Sequence, residues 1–291
     1  MKRRRIVVTG ATSGIGRATA RALADGSHDL ILASRNAALL EKTAGDFRAA
    51  DPKAEIRTFV VDLASFASIR NFSLQLHEEI DQIDVLFNCA GLFMDRRTST
   101  VEGFETTIGV NHLGSFLLTR LLVDLLAKGD EPQIVNVCSK AALFASFRDR
   151  PDAFMRHPAG FRAYSASKLL QLLSTLRLSE ELSGLGITVN AIHPGDAATG
   201  IWKGDSPMMR LANSLIVGRL ASAEEASKAG LYILENEAMR KVSGGFFERE
   251  GIGIPLPARL LDRSLRDAIA RRTDEAIAWP EQSPEDPETS P

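Results

Sequence analysis

Ile6-Val7-Val8-Thr9-Gly10-Ala11-Thr12-Ser13-Gly14-Ile15-Gly16 decides how the chain is read. Three β-forming apolar residues run into a glycine-rich turn, and an amphipathic helical pattern follows from Gly14 to about Ala24. Glycines in such a turn let the backbone bend sharply and approach a ligand with no Cβ in the way. The helix that follows presents its first N–H groups and positive dipole end to an anion. Gly10, Thr12, Ser13, Gly14, Ile15 and Gly16 are therefore candidates for cradling the pyrophosphate of a nucleotide cofactor. The spacing is G-x-x-x-G-x-G, not the G-x-G-x-x-G of the standard dinucleotide fingerprint, and three glycines alone also suit a plain tight turn.

Outward from this stretch the pattern repeats. Asp29–Ala33 leads to a helix from about Ala37, Ile56–Val61 to a helix over Ser65–Glu79, and Val85–Asn88 to a long helical segment, 101–128. Ile134–Ser139, a helix spanning Tyr164, and Thr188–Ile192 continue the series. The strands are rich in Val, Ile and Leu without strict alternation, as expected when helices cover both faces. Repeated βα units force parallel strands with right-handed crossovers, so the fold class is α/β, a doubly wound parallel sheet of Rossmann type. No linker divides the chain, which predicts one domain over residues 1–278. Segments 140–160 and 196–220 interrupt the rhythm after strand ends, where ligands of open α/β sheets bind, and both carry large apolar side chains. The Pro-, Glu- and Ser-rich stretch 279–291 is expected to be disordered.

Composition excludes several function classes. The 291 residues carry a formal net charge of −2, which gives no electrostatic reason to expect nucleic acid. The basic run Lys2 to Arg5 reads as a solvated strand start. The most apolar helical run, Phe116–Ala127, is interrupted by Arg120 and Asp124 and is too short to span a bilayer. Two cysteines, Cys89 and Cys138, lack His or Cys neighbours at metal-ligand spacing. With no signal-peptide pattern before Thr9-Gly10, a reducing, cytoplasmic setting is expected.

The second strand runs into Ser34-Arg35-Asn36. A carboxylate at this position would bind an adenosine ribose 2′-hydroxyl, but Ser34 offers none. Arg35 can instead face a 2′-phosphate, with Arg17 as support, so the cofactor expected is NADP(H). Asp62 in Val61-Asp62-Leu63 could hydrogen-bond an adenine amino group or, equally, cap the next helix with Ser65. Asn88-Cys89-Ala90-Gly91 ends the fourth strand with small residues over which a cofactor could lie.

Only two tyrosines occur in the chain, and Tyr164 has Lys168 four positions on, the spacing that shares a helix face. A nearby ammonium favours phenolate, making the phenol a usable proton donor and acceptor. Ser139, ending an apolar strand, can hydrogen-bond a substrate oxygen, although alone it would more often be a helix cap. These parts suit an enzyme that moves a proton on and off a carbonyl oxygen as hydride moves.

With those residues in place the chain resembles the short-chain dehydrogenases/reductases from about Ile6 to Phe247. The matching elements are Thr9-Gly10-x-x-x-Gly14-x-Gly16, Asp62, Asn88-x-Ala90-Gly91, Asn111, Ser139, Tyr164-x-x-x-Lys168, Pro194-Gly195 and Thr199, in the family's order. The resemblance implies Tyr164 as acid/base and Lys168 as the group that lowers its pKa and binds the nicotinamide ribose. It implies Ser139 orienting the substrate oxygen, Asn111 holding a water that relays protons through Lys168, and Pro194, Gly195 and Thr199 beside the nicotinamide. It also implies a homodimer or homotetramer paired through the Tyr164 helix and its neighbour. Ala33-Ser34-Arg35-Asn36, Asn111-His112-Leu113-Gly114, His193-Pro194-Gly195 and Gly245-Phe246-Phe247 look like the retinol dehydrogenase branch, which handles small lipophilic alcohols, aldehydes and ketones. His112 and His193 read as structural.

Three residues depart from the pattern: Cys89 where a second asparagine is usual, Cys138 where serine is frequent, and Asp196 after Pro194-Gly195. Asp196 would put a carboxylate near the nicotinamide, suited to a polar or cationic group on the substrate. Two other readings stand beside this one. A non-catalytic NADP-binding scaffold would more often lack the tyrosine, lysine or serine, and a sugar-nucleotide epimerase would need a larger C-terminal region.

Overall fold

The computed structural model describes residues 3–145, 160–195 and 221–278. β1 (Arg5–Thr9) leads through the glycine turn to α1 (Gly14–Leu23), followed by β2 (Asp29–Ser34), α2 (Ala37–Ala50), β3 (Glu55–Val60), α3 (Phe66–Glu79) and β4 (Val85–Asn88). The expected 101–128 helix is a chain of short pieces: α4 (Thr106–Ile108), a π-helical turn Gly109–Gly114, α5 (Ser115–Leu121) and α6 (Val123–Leu126). Then come β5 (Gln133–Val137), the long α7 (Phe161–Glu181), β6 (Thr188–Ile192), α8 (Ala223–Glu235), β7 (Phe246–Phe247), α9 (Ala258–Leu261) and α10 (Arg263–Ile277). The seven strands are all parallel, in the order β3-β2-β1-β4-β5-β6-β7. This is the doubly wound α/β sheet that the strand and helix periodicities predict. The two-residue β7, too short to show a period, escapes that reading.

The register explains why the strands lack alternation. Val7 lies opposite Ile31 and Leu86, Leu86 opposite Ile134, and Ile134 opposite Val189. This row is buried against Ile69, Phe72 and Leu76 of α3 and Phe116 to Leu118 of α5. The intervening residues Ile6, Val8, Leu30, Leu32, Val85, Phe87 and Val135 are buried on the opposite face, under Leu23 of α1, Phe47 of α2 and Ile233 of α8. Both faces of each strand are covered, so both phases of the pleat are apolar.

The π-helical turn has two visible causes. A Cβ on Gly114 would lie 2.3 Å from the Leu63 carbonyl oxygen, so the helix backbone passes directly over the loop after β3. Asn111 within the turn is anchored to the backbone of Leu92. One expectation fails at the N-terminus. Arg4 is not solvated: it is 9% exposed and donates to the Leu234 carbonyl at 2.9 Å and to Gln133 Oε1 at 2.8 Å. The neighbouring Arg3 does meet solvent and pairs with Asp29 and Glu55. α10 returns the chain onto α7, where Arg177 makes a two-pronged bond to Asp274 (3.0 and 2.8 Å) and Arg266 pairs with Glu180 at 2.8 Å.

Candidate active site

A cleft runs along the carboxyl ends of the strands, divided by the glycine turn. One lobe is lined by Gly10, Thr12 and Ser13 from the turn, Ser34, Arg35 and Asn36 after β2, Asp62 and Leu63 after β3, and Ala90 after β4. The other is lined by Gly10 and Ser13–Gly16 on one side and by Cys89, Gly91, Val137, Cys138, Tyr164, Lys168 and Pro194 on the other. The cleft thus brings together most of the residues singled out in the sequence.

The turn is built for close approach. Gly10 has φ +67°, and a Cβ there would come within 2.9 Å of the Ala90 Cα. Thr9 locks the two strand ends together, because its Oγ1 accepts from the backbone N–H groups of Cys89 and Ala90, both at 3.0 Å. Ser13 occupies the N-cap of α1 without making a side-chain cap bond, whereas Asn36, Ser65 and Asp262 each cap their own helices through a side-chain oxygen. The first N–H groups of α1 therefore have no side-chain acceptor and face the cleft, which fits the pyrophosphate of a dinucleotide.

At the far end of the first lobe, Arg35 is exposed and makes no ion pair among the described residues. The Ser34 hydroxyl is held by Thr12 at 3.0 Å. Arg17 is engaged elsewhere: it pairs with Asp46 at 3.4 Å and lies over the Phe47 ring. Asp62 lines the first lobe and is not the N-cap of α3. Its Oδ1 accepts from the Ala64 N–H at 3.0 Å, forming a local turn, while Ser65 is the cap of α3.

In the second lobe, Tyr164 and Lys168 sit on the same face of α7. The Tyr164 side is closed by Phe93, whose ring meets the tyrosine ring edge-on at 5.9 Å, and by Ala141. Lys168 Nζ lies 6.0 Å from the tyrosine ring centre and donates to the Val137 carbonyl at 2.8 Å and to Gln171 Oε1 at 2.9 Å. Burial is the main influence on Lys168 and lowers its pKa from the ordinary lysine value. Ionised Cys138 or Cys89 would oppose that shift, but burial pushes these thiols up to about 11 and about 12, so near neutral pH neither is a counter-ion.

Ser139 caps the short helical turn 140–144, its Oγ accepting from the Ala141 N–H at 3.2 Å. That bond uses a lone pair of the hydroxyl oxygen and does not use its proton. Gly195, at φ +86°, follows Pro194 at the cleft. His112 is structural: its Nε2 meets Thr273 Oγ1 at 3.0 Å, inside the protein. His193 Nδ1 accepts from the Lys140 N–H at 3.4 Å.

Two predicted residues are buried behind the cleft wall, Asn111 close to Gly91. Asn88 is buried and donates to Thr119 Oγ1 and Asn136 Oδ1, both at 3.0 Å, tying β4 to α5 and β5. Asn111 stands behind Leu92, accepting its N–H at 2.8 Å and donating to its carbonyl at 2.9 Å and to Ser167 Oγ at 3.0 Å. Its side chain makes no bond to Lys168. Thr199, Asp196, segment 196–220 and most of segment 140–160 lie outside the described residues, as does 279–291. Sequence reasoning passed over Gln171 and Phe93. Gln171 could have been picked out as the polar residue one helical turn after Lys168, whereas no signal near Phe93 marks it.

The family model for short chain dehydrogenases matches residues 4–210. The chain belongs to this family. Among short chain dehydrogenases, it is 36% identical over 250 residues to retinol dehydrogenase 13 of Homo sapiens, covering 84% of this chain and 75% of that protein. It is 34% identical over 282 residues to retinol dehydrogenase 14 of Mus musculus, covering 92% and 82%. Among solved structures, an uncharacterized protein from Mycobacterium paratuberculosis superposes with a TM-score of 0.73 at 28% identity, covering 94% of this chain and 93% of that one. The Pseudomonas aeruginosa RhlG/NADP active-site complex superposes with a TM-score of 0.66 at 25% identity, covering 85% and 95%. As a short chain dehydrogenase of the retinol dehydrogenase-like branch, the protein is an oxidoreductase. No helix among the described residues is long and apolar enough to cross a membrane.

Proposed function

We propose that this oxidoreductase interconverts an alcohol and a ketone or aldehyde on a small lipophilic substrate, using NADP(H), with Tyr164 as the acid/base. The observation that carries the reading is the shared cleft. Tyr164 and Lys168 open into the same lobe as the uncapped N-terminus of α1 and the backbone of Gly10. NADP(H), when bound, supplies or accepts the hydride. The chain's own residues then handle the proton: the Tyr164 hydroxyl gives it to the developing alkoxide, or takes it from the alcohol in reverse. The Lys168 ammonium favours the phenolate, and the Ser139 hydroxyl orients the substrate oxygen. Pro194, Gly195 and Thr199 would line the nicotinamide side.

The phosphate-bearing cofactor is favoured by Arg35, which lines the adenosine lobe beside Ser34 where a carboxylate would select the unphosphorylated ribose. The RhlG complex contains NADP, and the relatives named above are retinol dehydrogenases, which supports a lipophilic substrate. Cys89 and Cys138 are free thiols, consistent with a cytoplasmic setting. Assembly through α7 belongs to this reading only where α10 leaves that helix uncovered.

Tyr164→Phe tests the assignment. It removes the proton donor and little else, so turnover in a carbonyl-reduction assay should fall about 10²–10⁴-fold. NADPH affinity, measured by fluorescence titration, should change little. Substantial turnover in the variant would contradict the role given to Tyr164.

A further inference from the structure

The side chain that touches Lys168 is one that the family resemblance does not single out. Asn111 directs its carboxamide to Leu92 and Ser167, while Gln171, one turn along α7, places Oε1 2.9 Å from Lys168 Nζ. Both Lys168 and Gln171 are buried, at 5% and 4% exposure. An ammonium can only donate, so the carboxamide must turn its oxygen to it. This leaves Gln171 Nε2 buried with no hydrogen-bond partner. A buried unpaired donor is unfavourable, and the arrangement persists because the oxygen compensates a charge that has lost its water. Among the described residues, the titratable groups facing that charge are Cys89 after β4, Cys138 after β5 and Tyr164 on α7 itself. No carboxylate is among them.

We propose that Gln171 is a positioning residue for the acid/base pair: its carboxamide oxygen, with the Val137 carbonyl, keeps the Lys168 ammonium charged and oriented beside Tyr164. Those two acceptors engage two of the three ammonium protons and thereby set the direction of the third. The proposal rests on the acid/base reading of Tyr164 and Lys168.

The chain has only two tyrosines, so a Tyr232→Phe background leaves Tyr164 as the sole phenol, and its ionisation is readable by ultraviolet absorbance with no substrate or cofactor present. In that background Gln171→Met should raise the Tyr164 ionisation midpoint by about one pH unit, tenfold in the ionisation constant, because Lys168 loses charge more readily. Lys168→Met should raise it at least as far. If Gln171→Met leaves the midpoint in place while Lys168→Met moves it, the role of Gln171 is wrong. If neither moves it, the coupling of Lys168 to Tyr164 beneath it fails as well. Should Gln171→Met not fold, as judged by its thermal melt, Gln171→Asn gives the same readout. It withdraws the oxygen by one methylene, and a smaller upward shift is expected; no shift overturns the proposal.

Discussion

A single exposed guanidinium carries the proposed choice of cofactor, because no described residue forms an ion pair with it. Arg35 lines the first lobe of the cleft with no ion pair among the described residues, while Arg17, its expected helper, is taken by Asp46 and Phe47. A phosphate–guanidinium contact contributes about 1.5–3 kcal/mol. Arg35→Ala should therefore weaken NADPH about 10- to 100-fold and NADH little, measured as dissociation constants for both cofactors. Equal weakening of the two would remove Arg35 from its role. Residue identity alone could nominate Arg35, Tyr164 and Lys168, because each carries chemistry that its neighbours in sequence do not. It could not show how Asn88 and Asn111 are held, because an amide suits a ligand and a buried cross-link equally well. Only packing shows that both are used inside the protein.

At the scale of an element, the β1–α1 connection shows why its glycines are not exchangeable. A Cβ on Gly16 would lie 2.5 Å from the Gly10 carbonyl oxygen and 2.9 Å from its carbon, so the helix must shift to admit one. Gly16→Ala should destabilise the fold by about 1–3 kcal/mol in urea denaturation, the usual penalty of overpacking. It should also weaken NADPH binding, because the same displacement moves the N–H groups of α1. A full-strength variant would show that the turn yields without moving the helix. The broken helix over 106–126 teaches the opposite lesson. Its apolar period was legible, but the π-helical turn depends on how closely Gly114 crosses Leu63 and on the anchoring of Asn111, neither of which has a local sequence cost.

For the molecule as a whole, the C-terminal helix α10 is part of the fold around the site. It pairs with α7 through Arg177–Asp274 and reaches the π-helical turn through Thr273 and His112. Burial depresses the His112 pKa from 6.5 to about 3, with a smaller contribution from Arg177. The neutral ring is thus the folded form, while the unfolded chain takes up a proton near 6.5. Stability from this residue is complete above that pH and is lost as pH falls from 6.5 toward 3, with a slope of up to about 1.4 kcal/mol per pH unit. Urea denaturation of wild type and His112→Gln across that range should show a shallower acid dependence in the variant. Parallel curves would mean that His112 is reached by solvent.

Sequence alone determined the parallel sheet, the glycine cradle and the Tyr164/Lys168 pair, because these follow from local rules: the pleat, the turn and the helical period each act over a few residues. Tertiary structure decided what stands beside Lys168, which amides are buried cross-links, and how Arg4 and His112 are housed. Those outcomes depend on contacts between residues far apart in the chain, and the desolvation that governs their charges exists only once the layers have closed.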